Sequence, residues 1–359
     1  MSPSTSPDTT LGIPGFSFAD LHQPDRLRDL HRHFVDEVKA TEPELWKQWE
    51  QYCDVPEALG AVARGNLVVA MAPHLSRFVS RLFSVGAEAE ALVTATRAYD
   101  VLFRFKIDFV RRRALPLLKH PSAAAAPGAP FKGGAHVTAT AEDHAYVESA
   151  FLRIGADGEM ALAQLGCSLL DRDEALRTGG SDEDKAALAA EIDSLKRWCA
   201  AHVHSPKYRG WVVFRFPENL DYDHLVQIQR PDAKLPEQIL GPDGKLRRRQ
   251  GFALTDPRYT PREVLSEIHY CVLCHERDKD TCSKGIKDKE GTVAANPLGI
   301  PMPGCPLDEK ISEMHTVRKR GDAIGALAIV VVDNPMCPGT GHRICNDCMK
   351  ACIYQKQEP

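Results

Sequence analysis

Eight of the eleven cysteines in this 359-residue chain lie in its last quarter, at the spacing of metal ligands. They form the patterns C-x2-C-x7-C and C-x2-C-x3-C with two single cysteines between them: Cys271, Cys274, Cys282, Cys305, Cys337, Cys345, Cys348 and Cys352. Two intervening residues let both sulfurs of a C-x2-C pair reach one centre, and thiolates select zinc or iron–sulfur clusters over hard cations. We therefore predict a soft metal centre within residues 261–359.

The spacing alone leaves zinc and iron–sulfur chemistry open. A single zinc site built from the two C-x2-C pairs would have 70 residues between its halves, which is longer than the gap of a typical zinc ribbon. It would also leave at least three cysteines without a ligand role, whereas seven or eight thiols suit two four-ligand clusters. The cysteine count therefore favours iron–sulfur clusters, and a zinc-stabilised cysteine-rich interaction protein with no redox role is the alternative.

Short motifs between the cysteines occur in a characteristic order. Gly-Cys-Pro-Leu stands at 304–307, Arg-Gly-Asp at 320–322, Asp-Asn-Pro at 333–335 and Gly-His-Arg-Ile-Cys at 341–345. This order resembles the N-terminal double-[4Fe–4S] domain of the glutamate synthase small subunit and of dihydropyrimidine dehydrogenase. The resemblance covers about residues 268–359 and carries no information on residues 1–260.

The resemblance implies which cysteines hold each cluster. Cys271, Cys274, Cys282 and Cys352 would hold the first, the last cysteine folding back to complete the group. Cys305, Cys345 and Cys348 would hold the second, whose fourth ligand in the relatives is not a cysteine and lies further downstream. Cys337 is either that missing ligand or a free thiol. His275 and His342, which adjoin ligands, are expected to be hydrogen-bonding neighbours.

The chain departs from the family pattern in three places. Seven residues separate Cys274 from Cys282, and 22 residues precede Cys305, where the family has shorter spacings. We interpret the second stretch as a surface loop, because long loops cost little closure entropy. The arginine of the family's Gly-Arg-Val-Cys motif is displaced to Arg343.

The same resemblance implies electron transfer beside a flavin-dependent pyridine-nucleotide oxidoreductase. No G-x-G-x-x-G follows a strand-like run in this chain, so FAD and NAD(P)H would bind a downstream domain or a partner. We expect the chain to be an N-terminal part or a docking subunit of such a flavoprotein. It would pass electrons to an acceptor protein and contribute no catalytic residue of its own, so its standing as an enzyme stays open.

Composition restricts the remaining classes of protein. The chain carries 45 Lys and Arg against 49 Asp and Glu, a net charge of −4, which gives no general attraction to nucleic acid. Its longest apolar run, 326–332, is far shorter than the roughly 18–20 residues of a membrane helix. The first residues lack the basic and apolar regions of a secretory signal, so we predict a cytoplasmic protein with no membrane span.

The elements that must position the cysteines are predicted to be mainly α-helical. We expect a disordered lead-in at 1–15, a helical domain at 16–119, a Pro/Ala/Gly-rich linker at 120–135, a helical or small α+β segment at 136–260, and the helical iron–sulfur domain at 261–359. Apolar periodicity predicts helices near 67–83, 88–115, 141–154, 159–170, 182–202 and 262–270.

Two more helices are predicted between the cysteine groups. Leu307, Ile311, Met314 and Val317 would form the apolar face of the first, which would end at Gly321. The second would run through 324–332 with Asp322 as its N-cap.

Three further predictions concern a strand, a hairpin and the three cysteines that lie before residue 270. Residues 210–216 are predicted to form a strand, and 241–249 a small hairpin. Cys53, Cys167 and Cys199 lie in apolar helical surroundings and are predicted to be plain buried residues.

Overall fold

The computed structural model describes residues 10–118, 137–155, 157–223, 225, 228–241, 250–253, 258–340 and 345–357. The predicted linker at 120–135, almost all of the predicted hairpin at 241–249, and His342 lie outside these residues. The described chain is mainly helical, which confirms the mainly α part of the predicted fold class. No helix in the described ranges is both long enough and apolar enough to cross a bilayer.

Fourteen α-helices and one short strand pair are described. The helices are α1 Pro24–Thr41, α2 Pro43–Asp54, α3 Ala61–Leu82, α4 Gly86–Arg97, α5 Asp100–Arg104, α6 Ala141–Ile154, α7 Gly158–Thr178, α8 Asp182–His202, α9 Pro261–Tyr270, α10 Thr281–Lys284, α11 Ile311–Lys319, α12 Ala323–Asp333, α13 Cys337–Thr340 and α14 Asp347–Lys350. A π-helix spans Phe105–Ala114. Strand β1, Glu218–Asn219, pairs antiparallel with β2, Lys356–Gln357.

The chain divides into two compact units, and the division differs from the predicted one. The first unit combines residues 1–98 with 268–355, and the second combines 99–267 with 356–359. The cysteine-rich segment therefore shares a unit with the N-terminal helices. The reason is that α3 packs against both α11 and α12.

Helix α3 is the centre of the first unit because it carries apolar residues on several faces. Val68 and Ala72 pack with Val317, Ala326 and Ile329 of α11 and α12. Met71 of α3 packs with Val38 of α1 and Trp46 of α2. Phe78 and Leu82 of α3 form a second buried cluster with Ile13, Phe16 and Leu30. One helix thus holds the thiol-bearing segment and the N-terminal helices together.

The lead-in prediction is wrong for residues 10–15. Ile13 is buried, and the Gly12 amide donates to the carbonyl of Leu82 at 2.8 Å. Thr10 forms a bridge with Ser17. The Ser/Pro/Thr composition concealed an apolar pair, Ile13 and Phe16, that reaches the core.

The second unit is built from α5 to α8 and the π-helix. Gly166 of α7 lies directly under the ring of Phe105, where an added Cβ would stand 2.1 Å from the ring. Trp198 of α8 is buried and contacts several other aromatic rings. The helices predicted at 141–154 and 182–202 are confirmed, the second with Ser181 accepting the Asp184 amide as its cap.

Three local predictions are wrong. The predicted strand at 210–216 contains a 3₁₀-helix, Val212–Phe214, because the Val213 amide donates to the Glu159 carboxylate instead of to a neighbouring strand. The single helix predicted over 88–115 is broken near Ala98, where the chain passes from one unit to the other. Cys53 is exposed, whereas the other two early cysteines are buried as predicted.

Candidate metal centre

Four thiols that are far apart in sequence lie within range of one another's charge. They are Cys271, Cys274, Cys282 and Cys352, called here the four-thiol group. Burial makes the largest contribution to the raised pKa of Cys282. The negative charge of Asp280 contributes next, followed by the charges of the other three thiols of the group. The thiols of Cys271 and Cys274 also help burial to raise the pKa of Cys352. This is the set that the resemblance implies for the first cluster.

Local contacts explain how Cys352 reaches the earlier cysteines. Helix α10, which carries Cys282, packs against α14. One residue beyond Cys352, the amide of Ile353 donates to the hydroxyl of Thr281 at 2.9 Å. The chain near its last cysteine is therefore attached directly beside Cys282.

A second set of three thiols shares another neighbourhood. Burial raises the pKa of Cys348 to about 11, with further contributions from Cys305, Glu309 and Cys345. We call Cys305, Cys345 and Cys348 the three-thiol group. It adjoins the four-thiol group, since the Cys305 amide donates to the carbonyl of Cys282 at 2.8 Å.

Cys337 stands apart from both groups in the interactions that the structure describes. It begins the short helix α13 and is half-buried. The thiols that act on Cys348 and Cys282 do not include it. Its role as a substitute ligand stays a prediction.

Left-handed backbone is concentrated at the cysteines. Of the six described non-glycine residues with positive φ, five lie in the cysteine-rich segment: Leu273, Asp278, Asp280, Asp308 and Gln355. Leu273 lies inside the first C-x2-C pair with φ of 49°. Such conformations cost about 1–3 kcal/mol each and cluster at functional sites. Here they turn the chain so that its amides face sulfur, as when the Leu273 amide donates to Cys271 Sγ at 3.4 Å.

Two glycines let the chain cross itself between the thiol groups. Gly304, with φ of 87°, precedes Cys305, and an added Cβ would lie 2.4 Å from the amide nitrogen of Gly285. Gly285 has φ of 81°, and a Cβ added there would lie 2.5 Å from the carbonyl oxygen of Pro303. A side chain at either position would separate Cys305 from Cys282.

The predicted surface loop before Cys305 is a closed arrangement of two hairpins. Ile286, Ala294 and Met302 exchange main-chain hydrogen bonds in a ring at 2.8–3.0 Å. Asp288 and Asn296 each accept two amides at the tip of one hairpin. An eight-residue repetition, Asp288-x-x-Gly-x and Asn296-x-x-Gly-x, is the sequence signal that could have revealed it.

A buried polar cluster that was not predicted from the sequence lies beside the four-thiol group. Ser312 of α11 lies with Oγ 3.8 Å from Cys271 Sγ and shares a hydrogen bond with His275 Nδ1. Ser312, His275 and Glu313 are all at least nine-tenths buried. The apolar periodicity used to predict α11 gave no weight to these polar positions. His275 is a hydrogen-bonding neighbour of the site, as expected.

By their chemistry, the thiolates of the four-thiol group are ligands that select soft metals. Within the described part of the chain, no three His, Cys, Asp or Glu side chains converge closely enough to hold one metal ion. Around a single zinc ion, sulfurs lie only about 3.8 Å apart, because each Zn–S bond is about 2.3 Å. In a four-iron cluster each thiolate binds a different iron, so its sulfurs are more widely spaced.

Comparison with known proteins finds a family model for the N-terminal helices and a relative that covers most of the chain. A family model described as the RP005 N-terminal alpha-helical domain matches residues 11–84, a range that includes α1 to α3. The uncharacterized protein RP005 of Rickettsia prowazekii (strain Madrid E) is 26% identical over 306 residues, covering 81% of this chain and 93% of that protein.

A second relative matches only a short stretch. The uncharacterized protein RP006 of the same organism is 79% identical over 24 residues, which are 7% of this chain and 3% of that protein. No solved structure matches the chain. Neither relative's description names a metal or an activity, so function is argued from the site.

Proposed function

We propose that the chain binds two [4Fe–4S] clusters and transfers electrons beside a flavin-dependent pyridine-nucleotide oxidoreductase. The observation that carries the proposal is the crossed grouping of the thiols. Cys352 shares the neighbourhood of Cys271, Cys274 and Cys282, and the residue after it is bonded to Thr281 beside Cys282. Two local zinc knuckles would give the opposite grouping.

When bound, a [4Fe–4S] cluster supplies one-electron oxidation and reduction, and the chain's residues hold it and set its potential. The four-thiol group would hold one cluster, and the three-thiol group would hold the other with a fourth ligand still to be identified. Amide donation from Leu273 to Cys271 Sγ lowers the negative charge on that sulfur, which favours the reduced state. Ser312 beside the same sulfur acts in the same direction.

Electrons would enter from a flavin bound elsewhere. FAD and NAD(P)H would lie on a flavoprotein domain or subunit, and the electrons would continue to an acceptor protein. The free thiols require a reducing compartment, consistent with the predicted cytoplasmic location. The support for this part is the resemblance of residues 268–359 alone.

The proposal is tested by purifying the full chain without oxygen and analysing its metal content. We expect brown protein whose visible absorption bleaches with dithionite, with about eight iron atoms and about eight sulfide ions per chain. A colourless protein with stoichiometric zinc would contradict the proposal and support the interaction-protein alternative.

A further inference from the structure

Glu313 is a buried carboxyl group with one oxygen that has no described partner. Its side chain is 2% exposed, and Oε2 makes no hydrogen bond within the described part of the chain. Such a group costs folding free energy, so its presence in a native structure calls for an explanation. It lies on α11, one residue from the Ser312 that contacts Cys271.

Glu313 and His275 border the same space at Gly65, and His275 is linked through Ser312 to the four-thiol group. A methyl group on Gly65 of α3 would stand 2.7 Å from Glu313 Oε1 and 3.4 Å from the His275 ring, so both side chains occupy the space that Gly65 leaves open. His275 bonds Ser312, and Ser312 lies beside Cys271 Sγ. Ser312 and His275 therefore connect the surroundings of this carboxyl with Cys271.

The charges around Glu313 leave it sensitive to added negative charge. Burial raises the pKa of Glu313, its own main-chain amide and then Lys310 lower it, and Asp333 and Asp308 raise it. Glu313 in turn raises the pKa of Asp280, which burial brings to about 6. The residue of α3 that faces Glu313 is Gly65, which carries no charge. The 3₁₀-helix 274–277 contributes His275, whose pKa is lowered by burial.

We propose that Glu313 takes up a proton when the centre held by the four-thiol group gains an electron. This inference rests on the proposed function. The electron comes from a reduced flavin, or from dithionite in the test, and the proton comes from water. The ionised Glu313 carboxylate becomes a neutral carboxylic acid, so the added electron is balanced by one proton. In a low-dielectric surrounding this removes the repulsion between the reduced centre and a buried carboxylate.

The test is a redox titration of the full chain, monitored by EPR, at several pH values from 5.5 to 9 in steps. We expect the potential of the first cluster to fall as pH rises, and Glu313→Gln to make it independent of pH. Glu276→Gln is the matched control, because Glu276 is an exposed carboxylate beside the same thiols. It should keep the wild-type pH dependence.

Stability supplies a readout that does not need the cluster. A group whose pKa is higher in the folded than in the unfolded chain stabilises the fold at low pH, and this stability is lost as pH rises through the folded pKa. Urea unfolding should therefore show wild-type stability falling with rising pH, and a smaller fall in Glu313→Gln.

Each contrary result identifies a different failure. A potential that does not depend on pH in the wild type, or a dependence that persists in Glu313→Gln, overturns the inference. A dependence lost in Asp280→Asn but kept in Glu313→Gln assigns the proton to Asp280 and also overturns it. A colourless protein overturns the proposed function before any titration begins.

Discussion

Single carboxylates in this chain stabilise the fold by accepting hydrogen bonds from main-chain amides. Asp322 caps α12 by accepting the Gly325 amide at 2.7 Å, and the same oxygen accepts the Ser76 hydroxyl of α3 at 2.7 Å. The cap was predicted from sequence, whereas the tie to α3 was not, because nothing in the sequence placed α3 beside α12. One residue therefore both starts a helix and attaches it to the core.

Replacing this cap tests its energy. Asp322→Ala should lower the free energy of unfolding by about 1–2 kcal/mol, because an amide and a hydroxyl lose their acceptor. Asp322→Asn should stay near wild type, since asparagine caps nearly as well. Urea unfolding measures both. Equal losses in the two variants would show that charge, and not hydrogen bonding, dominates.

A second carboxylate, that of Asp143, makes the free energy of unfolding depend on pH. Asp143 is fully buried and accepts hydrogen bonds from Arg197, Ser194 and the Thr140 amide. Burial raises the pKa of Asp143, but these donors outweigh burial and hold that pKa far below its usual range. Its contribution is therefore present at neutral pH and is lost as pH falls below about 4, the unfolded value.

Asp143→Asn should destabilise the protein by roughly 2 kcal/mol at pH 7, less than a fully buried ion pair because Arg197 is 42% exposed. The difference from wild type should shrink as pH falls from 5 to 3. Urea midpoints measured across this range provide the check. A constant difference would mean that the pKa of Asp143 is the same in the folded and the unfolded chain.

At the scale of elements, periodicity predicted helices better than it predicted their partners. The bounds of α6 and α8 were predicted because a cap and an apolar face agree. The run 210–216 was misread because aromatic and β-branched residues favour strands, yet here Tyr208 and Trp211 pack their rings together around a 3₁₀-helix. Strand propensity describes a half-buried surface, and tertiary contacts can satisfy it without a sheet.

The candidate site shows the same limit. Spacing and resemblance predict which cysteines bind a metal, because ligand chemistry is local to a few residues, and that assignment stays a prediction. Ser312 and Glu313 were not predicted, because a buried polar residue is recognisable only once its neighbours are known. The unit boundary was also missed, since α3 carries no mark that its partner is α12 rather than α4.

The approach of α7 to the π-helix gives a prediction for this scale. Gly166→Ala would place a Cβ 2.1 Å from the ring of Phe105, so we expect a loss of at least about 2 kcal/mol. Gly179→Ala is the control, because nothing lies within 4 Å of an added Cβ there and its φ of −177° suits any residue. A near-wild-type Gly166→Ala would mean that the ring can move aside freely.

For the whole molecule, we predict that metal stabilises one unit and not the other. A centre that joins residues 271 and 352 closes a long loop and contributes folding free energy. Removing it should increase hydrogen exchange in α11, α12 and α3 while α6 to α8 keep their protection. Mass spectrometry of exchanged peptides, with and without chelator, measures this. Equal loosening of both units would contradict the prediction.

The most direct measurement of the central claim is the EPR spectrum of reduced Cys352→Ser, compared with Cys271→Ser and Cys345→Ser. Cys53→Ser serves as the control for loss of a thiol outside both groups, because Cys53 is an exposed residue of α2. We predict that Cys352→Ser loses the same cluster signal as Cys271→Ser and keeps the signal that Cys345→Ser loses. A Cys352→Ser spectrum that matches Cys345→Ser would contradict the crossed grouping and the two-cluster function proposed from it.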